Sequence, residues 1–447
     1  MKVIIVGAGE VGYHIADRLS KEGHHVTIVE REPTKEKKLS DKVNALVVHG
    51  NGASATVLQK AGIESADLFI AVTDSDEVNL VACLIANEFK VPFKVARVKN
   101  IEYIHEDHIL SAKSLGIDLL INPQNVVSDV ICKIISYTEA SEAAEFAGGK
   151  VIFISFPIHE KTPIVGKKLK DLSEERKRFD FIVPAITRKD QTLIPTGEDT
   201  FQDEDIVSFV CKKYDLEHIH ELLDLKRKKA KTIFLLGGGQ IGMQVAQTLQ
   251  KKNHTIKIIE KNDQNCKLIA EKLDNVLVLC SDSYDVETLK AEGISMADAF
   301  IAVTNDDSAN ILGSLLAKKY GVRRSIALVN DPELVNLAPT LGVDACVSPR
   351  LATAGEILKY IRGEKVLKIA MLEQNDAEVI EFQITEKFKK LNKSFKEISI
   401  PDGILVGAIQ RKGEIIIPSG GDHLEVDDHV VVFCLAETIT KAEKYFS

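Results

Sequence analysis

Residues 2–12 read KVIIVGAGEVG, and residues 231–242 read KTIFLLGGGQIG. Each is a short apolar run that ends in G-x-G-x-x-G and opens onto an amphipathic segment. Strand, tight turn and helix in that order begin a dinucleotide-binding βαβ unit. In the first half, Gly7 allows the tight turn and Gly9 lets a pyrophosphate approach the backbone. Gly12 permits close helix–strand packing, and the helix N-terminus faces the phosphates. Gly237, Gly239 and Gly242 repeat the pattern.

Working outward, the repeat continues. Residues 66–79, ADLFIAVTDSDEVN, return as 297–310, ADAFIAVTNDDSAN, and 186–205, ITRKDQTLIPTGEDTFQDED, return as 409–428, IQRKGEIIIPSGGDHLEVDD. The offset is 230 at Gly7/Gly237, 231 at Ala66/Ala297 and 223 at Ile186/Ile409, so loops differ in length while the order holds. The chain is an A-B-A-B duplication. The basic run 226–231, KRKKAK, sits where the first half ends and reads as a solvated linker.

In the first A unit, expected strands at 2–6, 25–30, 45–49, 68–72, 94–98 and 119–121 alternate with expected helices at 10–21, 33–40, 53–61, 77–89 and 104–115. That alternation predicts a parallel sheet with helices on both faces, a Rossmann-like doubly wound α/β fold. The B unit reads differently, with strands at 151–156, 181–187 and 206–211 separated by Pro and Gly, a small α+β domain. Helices at 126–137 and 352–361 join A to B in each half and are apolar on one face, so each must pack against something.

A length of 447 residues fits three or four domains at roughly 100–200 residues each. A net charge of -9 argues against nucleic acid as a partner, since that needs a basic face. No apolar stretch is long enough to span a membrane, and the N-terminal apolar run is too short for a signal peptide. The cysteines Cys83, Cys132, Cys211, Cys266, Cys280, Cys346 and Cys434 form no C-x-x-C pair and sit in apolar or mixed runs. Reduced, mostly buried thiols and a cytoplasmic protein are expected.

Around the glycine-rich turns the two halves differ. Glu30 ends the second strand 18 residues after Gly12, and Glu260 stands at the same spacing from Gly242. A carboxylate there hydrogen-bonds ribose hydroxyls and favours NAD over NADP, because a 2′-phosphate would be repelled. As a strand-end carboxylate, Glu30 is expected to be exposed. Gly50 and Gly52 of HGNGA align with Ser281 and Ser283, and Arg97 of KVARVKN aligns with Leu328. Loss of two glycines and of a cation able to meet a diphosphate predicts unequal sites. Thr73 and Asp74 follow the fourth strand, where parallel sheets carry ligands. Helix capping by Asp74 or Asp76, and by Asp306 or Asp307, accounts for the same acids.

No catalytic constellation stands out: neither a Tyr-x-x-x-Lys pair nor a His–Asp pair presents itself beside the dinucleotide turn. His105 and His108 share a helix face but read as solvated, and no metal site is expected. An NAD-dependent oxidoreductase and a ligand-sensing module of some other transporter remain as alternatives, although duplication of the whole A-B unit suits a symmetric assembly better.

The motifs GAGEVG, VTIVE, HGNGAS, ADLFIAVTDSDEVNL and ARV, with the segments around Pro195 and Pro418, resemble the TrkA family, the regulatory proteins of Trk-type potassium uptake systems. The resemblance covers nearly the whole chain. It implies RCK_N (KTN) domains over 1–138 and 231–362, and RCK_C domains over 146–225 and 365–447. It implies binding of NAD(H), with ATP or ADP at the same site. The implied ligand positions are Gly7, Ala8, Gly9, Glu10, Val11, Gly12, Glu30, Asn51, Gly52, Thr73, Asp74 and Arg97 in the first half. In the second half they are Gly237, Gly238, Gly239, Gln240, Ile241 and Glu260. It further implies a homo-oligomeric ring, peripheral on the inner face of the membrane, that gates a TrkH/TrkG-like potassium-translocating subunit without being an enzyme.

Overall fold

The computed structural model describes residues 1–33, 43–100, 112, 114–137, 140–189, 191–225, 231–281, 285–361, 366–372 and 377–446. The expected helix at 33–40, most of that at 104–115 with His105 and His108, Ser283, and the basic run from 226 to 230 lie outside the described residues. The chain divides into two units, one of Met1–Cys132 with Ala230–Ile361 and one of Lys133–Lys229 with Arg362–Ser447.

The first unit holds both A segments. The first runs β1 (Lys2–Val6), α1 (Glu10–Lys21), β2 (His25–Glu30), β3 (Leu46–His49), α2 (Ala55–Lys60), β4 (Leu68–Ala71), α3 (Asp76–Glu88), β5 (Phe93–Arg97), β6 (Leu119–Ile121) and α4 (Pro123–Ser136). Its strands form one parallel sheet in the order β3-β2-β1-β4-β5-β6, a doubly wound Rossmann-like topology. β1 and β4 are central and covered on both faces, which is why they read as continuous apolar runs rather than alternating ones.

The second A segment repeats this as β12 (Thr232–Leu236), α7 (Gln240–Gln250), β13 (Thr255–Glu260), α8 (Asp263–Lys272), β14 (Val276–Cys280), α9 (Val286–Ala291), β15 (Ala299–Ala302), α10 (Asp307–Lys319), β16 (Arg324–Leu328), α11 (Pro332–Leu341), β17 (Ala345–Val347) and α12 (Pro349–Ile361). The sheet order is β14-β13-β12-β15-β16-β17. On α4, Val127, Ile131 and Ile135 are buried, and the apolar face that had to be covered on α12 is covered across the repeat. Ala354, Ile357 and Leu358 of α12 join the core formed by Val11, Ile15, Ala16 and Leu19 of α1.

The second unit holds both B segments. The first consists of β7 (Glu142–Phe146), β8 (Val151–Pro157), α5 (Ser173–Arg178), β9 (Phe181–Arg188), β10 (Gln191–Leu193), β11 (Ile206–Lys212) and α6 (Leu216–Leu222). The second consists of β18 (Val366–Leu372), β19 (Ala377–Gln383), β20 (Ile404–Arg411), β21 (Glu414–Ile416), β22 (His429–Leu435) and α13 (Ile439–Phe446). Each makes a five-stranded sheet whose strand pairs are antiparallel, in the orders β10-β9-β11-β8-β7 and β18-β19-β22-β20-β21. The repeated Arg-Lys…Pro…Asp motif is a turn clamp. Arg188 donates to both carboxylate oxygens of Asp205 at 2.7 Å and to the Thr200 carbonyl at 2.8 Å. Arg411 does the same with Asp428 and the His423 carbonyl.

The cysteine expectation needs one correction: Cys266 on α8 and Cys280 at the end of β14 are disulfide-bonded, with Cα atoms 6.1 Å apart. β14 pairs with β13 and α8 packs over both, so residues 14 positions apart meet. Cys83, Cys132, Cys211 and Cys434 are buried thiols; burial pushes Cys132 up to about 11 and Cys211 up to about 12.

Candidate functional site

The carboxyl ends of β1, β2, β4 and β5 open into a cleft of about 1070 Å³ in the first unit. The β1–α1 turn forms its floor. Gly7 has φ +101°, and a Cβ on Gly12 would lie 2.0 Å from the Gly7 carbonyl oxygen, so the helix can start this close to the strand only with glycine at both places. A Cβ on Gly9 would meet nothing, so there the backbone is open to the cleft. Gly9 caps α1 with no side-chain hydrogen bond, which leaves the first N–H groups of the helix available to an anion.

Glu30 is not exposed, as a strand-end carboxylate was expected to be; it is 7% accessible. One oxygen accepts from the Ala8 N–H at 2.6 Å, and the other accepts from the Arg31 and Glu32 N–H groups at 2.7 and 2.8 Å. The carboxylate therefore ties the glycine turn to the end of β2. With about four lone-pair positions on a carboxylate, three main-chain donors leave room for one more.

The β4–α3 loop is held by a residue that motif reading passed over. Asn79 is fully buried. Its Oδ1 accepts from the Thr73 N–H at 2.9 Å and the Thr73 hydroxyl at 2.7 Å, and its Nδ2 donates to the Thr73 and Arg97 carbonyls at 3.0 and 2.8 Å. The signal was in the repeat itself, because ADLFIAVTDSDEVN ends on this asparagine. The capping expectation also shifts. Ser75, not Asp74 or Asp76, caps α3 by accepting from Val78, while Asp76 accepts from the N–H groups of Lys99 and Asn100. In the second half Asp306 caps α10 as expected. Asp74, 89% exposed, lies 3.3 Å from Arg97 and 3.8 Å from Lys99.

The cleft brings together Gly7, Ala8, Gly9, Glu10, Val11, Glu30, Asn51, Gly52, Thr73, Asp74 and Arg97. Gly12 serves packing beneath them. Gly52 is also demanded by packing, since a Cβ there would lie 2.0 Å from the Val6 side chain. Four residues of the second half line the same cleft, Pro349, Arg350 and Thr353 at the start of α12 and Asn330 in the loop before α11. Sequence reading gave no sign of them.

The second half keeps the backbone arrangement. Gly239 caps α7 as Gly9 caps α1, Gln240 and Ile241 open the helix, and Gly237 has φ +102°. Glu260 accepts from the Gly238 and Asn262 N–H groups at 2.9 and 2.8 Å. Asn310 bonds Thr304 and the Leu328 carbonyl as Asn79 bonds Thr73 and the Arg97 carbonyl.

Residues 3–123 and 233–349 match the TrkA-N domain family, and residues 153–224 and 379–447 match the TrkA-C domain family. The chain is 37% identical to Trk system potassium uptake protein TrkA homolog 1 of Methanosarcina mazei, with 100% of each chain covered. It is 33% identical to Trk system potassium uptake protein TrkA of Halomonas elongata, over 97% of this chain and 96% of that one. Among solved structures, a GsuK channel bound to NAD shares the fold, with a TM-score of 0.61 at 20% identity over 100% of this chain and 78% of that one.

Proposed function

The chain belongs to the TrkA family of Trk system potassium uptake proteins, and from that membership we propose that it is their peripheral, non-enzymatic regulatory subunit. In this reading it binds NAD(H), or ATP or ADP, in its first half. It assembles as a homo-oligomeric ring on the inner face of the membrane and gates a TrkH/TrkG-like potassium-translocating subunit. The observation that carries the reading is the cleft itself: an uncapped helix start, a fixed Glu30 carboxylate and the Arg97 guanidinium converge at the ends of parallel strands. The helix start and Arg97 suit the phosphates of a nucleotide, and Glu30 suits a ribose with a free 2′-hydroxyl. The GsuK channel that shares the fold was solved with NAD.

No helix among the described residues is long and apolar enough to cross a membrane. In this reading attachment runs through the partner subunit. A ligand shifts the gate only by its differential affinity for the two states. The cleft is lined from both halves, so a ligand that fits one arrangement of the halves better biases their packing. The test is potassium flux in proteoliposomes carrying the membrane subunit with this chain added. Nucleotide-dependent flux is expected. Flux that ignores nucleotide while binding is confirmed would overturn the gating role.

A further inference from the structure

The start of α12 lies over the first half's cleft, although α12 belongs to the second half. Its first turn carries Arg350, which is 5% exposed. One guanidinium nitrogen lies 3.3 Å from Glu10 at the start of α1, and Nε has no hydrogen-bond partner among the described residues. Arg97, which lines the same cleft, likewise has a buried Nε without a partner among the described residues. A cleft that holds two guanidinium groups with unused donors, beside an uncapped helix N-terminus, has an excess of positive hydrogen-bond donors. Burial of such donors is costly unless an anion completes them.

The mirror position shows that this is not a by-product of the duplication. Ser348-Pro349-Arg350 corresponds to Asn122-Pro123-Gln124 at the start of α4. Gln124 reaches Gln240 at the start of α7 through a 2.6 Å hydrogen bond, as Arg350 reaches Glu10. Each half thus lends a helix to the other, and the contact is an ion pair at the first glycine turn and a neutral amide pair at the second. Arg97 and Arg350 of the first cleft are replaced by uncharged residues, Leu328 and Gln124, at the second, while Arg31 is matched by Lys261.

Resting on the nucleotide reading above, we propose that Arg350 is a phosphate ligand of the first cleft, supplied by the second half, which exchanges Glu10 for the phosphate chain of an adenine nucleotide. Glu10 is then a placeholder: 58% of its side chain is exposed, so it can swing into water when the guanidinium turns to the ligand. The ligand would join α1 to α12, and so one half to the other, which a cradle made wholly within the first half could not do.

The test is calorimetry on the full-length protein with adenosine, AMP, ADP, ATP and NAD as probes. The wild-type titration decides whether the cleft binds nucleotide at all; if it does not, the functional reading falls and this inference falls with it. Given binding, Arg350→Gln, which copies Gln124, is expected to weaken ADP and ATP by about 10-fold or more, as for a lost charge-assisted hydrogen bond. Adenosine affinity should change less than about twofold. Glu10→Gln provides a second reading with the opposite sign, because removing the competing carboxylate should tighten ATP while adenosine stays unchanged. An Arg350→Gln protein that folds and binds ATP as the wild type does would overturn the assignment. So would an equal loss for adenosine and ATP, which would give Arg350 a purely packing role.

Discussion

At the ends of β5 and β16, Asn79 and Asn310 make the same four hydrogen bonds, yet the carbonyls they hold belong to Arg97 in one half and Leu328 in the other. The glycine turns match too, down to a Gly7 φ of +101° against a Gly237 φ of +102°. Duplication has kept the glycine turn and the buried asparagine and has let go of the guanidinium groups of Arg97 and Arg350. Shape and affinity are therefore carried by different residues, and variants can separate them.

The largest effect should come from the shared asparagines. Asn79→Ala leaves two acceptors and two donors around Thr73 and Arg97 without their partner in a buried loop, which should cost about 3 kcal/mol. Asn310→Ala should cost about the same, since its bonds are the same. Urea unfolding of both variants measures the parity. A difference above about 1 kcal/mol would mean that the halves are not structurally equivalent.

Next is Glu30→Ala, at about 2 kcal/mol of stability. Three main-chain N–H groups lose their acceptor, against two for Glu260→Ala, so the first half should suffer more. Nucleotide affinity should fall along with stability at Glu30. If calorimetry shows affinity falling while the unfolding midpoint stays put, the carboxylate is a ligand and not a staple.

The burial of Glu30 marks where sequence reading stopped. The spacing from Gly12 located the residue, but the donors that bury it come from Ala8, Arg31 and Glu32, and no residue pattern encodes where those amides point. The sheets themselves were legible: each strand of the first A unit was expected within a residue or two, because covered parallel strands are short unbroken apolar runs between amphipathic helices. The edge strand β7, five residues long, carries no such signal and was missed, whereas β10 falls on the hydrophobic strand read between Arg188-Lys189 and Pro195. The amphipathic face at 352–361 showed that α12 must pack, but not that it packs on α1 from the other half. Arg350 was invisible for that reason: it shares no motif with the residues it faces.

Arg97→Leu makes the first cleft resemble the second and should weaken ATP or NAD by about 10-fold with stability almost unchanged, since the carboxylate Arg97 pairs with among the described residues, Asp74, is exposed. The reverse change is not symmetric. Leu328 is buried on β16, so Leu328→Arg should destabilise the second half without creating a site there. Tight ATP binding by that variant would show that the missing cation alone separates the two halves.

The smallest effect concerns His14, one turn beyond Glu10 on α1, where the second half has Gln244. Burial first, and then the charge of Arg350, hold the His14 imidazole below its ordinary 6.5; Lys21 acts in the same direction and Asp17 opposes it. The unfolded chain therefore takes up this proton at a higher pH than the folded one. His14 exacts no cost above the unfolded value, and the fold loses stability as pH drops from there through the lower folded value. Arg350→Gln removes one of the two main causes, so an NMR titration of His14 should show its midpoint rising toward the ordinary value. His14→Gln, which copies the second half, should remove this part of the acid sensitivity altogether, read as a smaller difference in urea midpoint between about pH 5.5 and about pH 7.5. A His14 midpoint that does not move in Arg350→Gln would place the guanidinium away from α1 in solution.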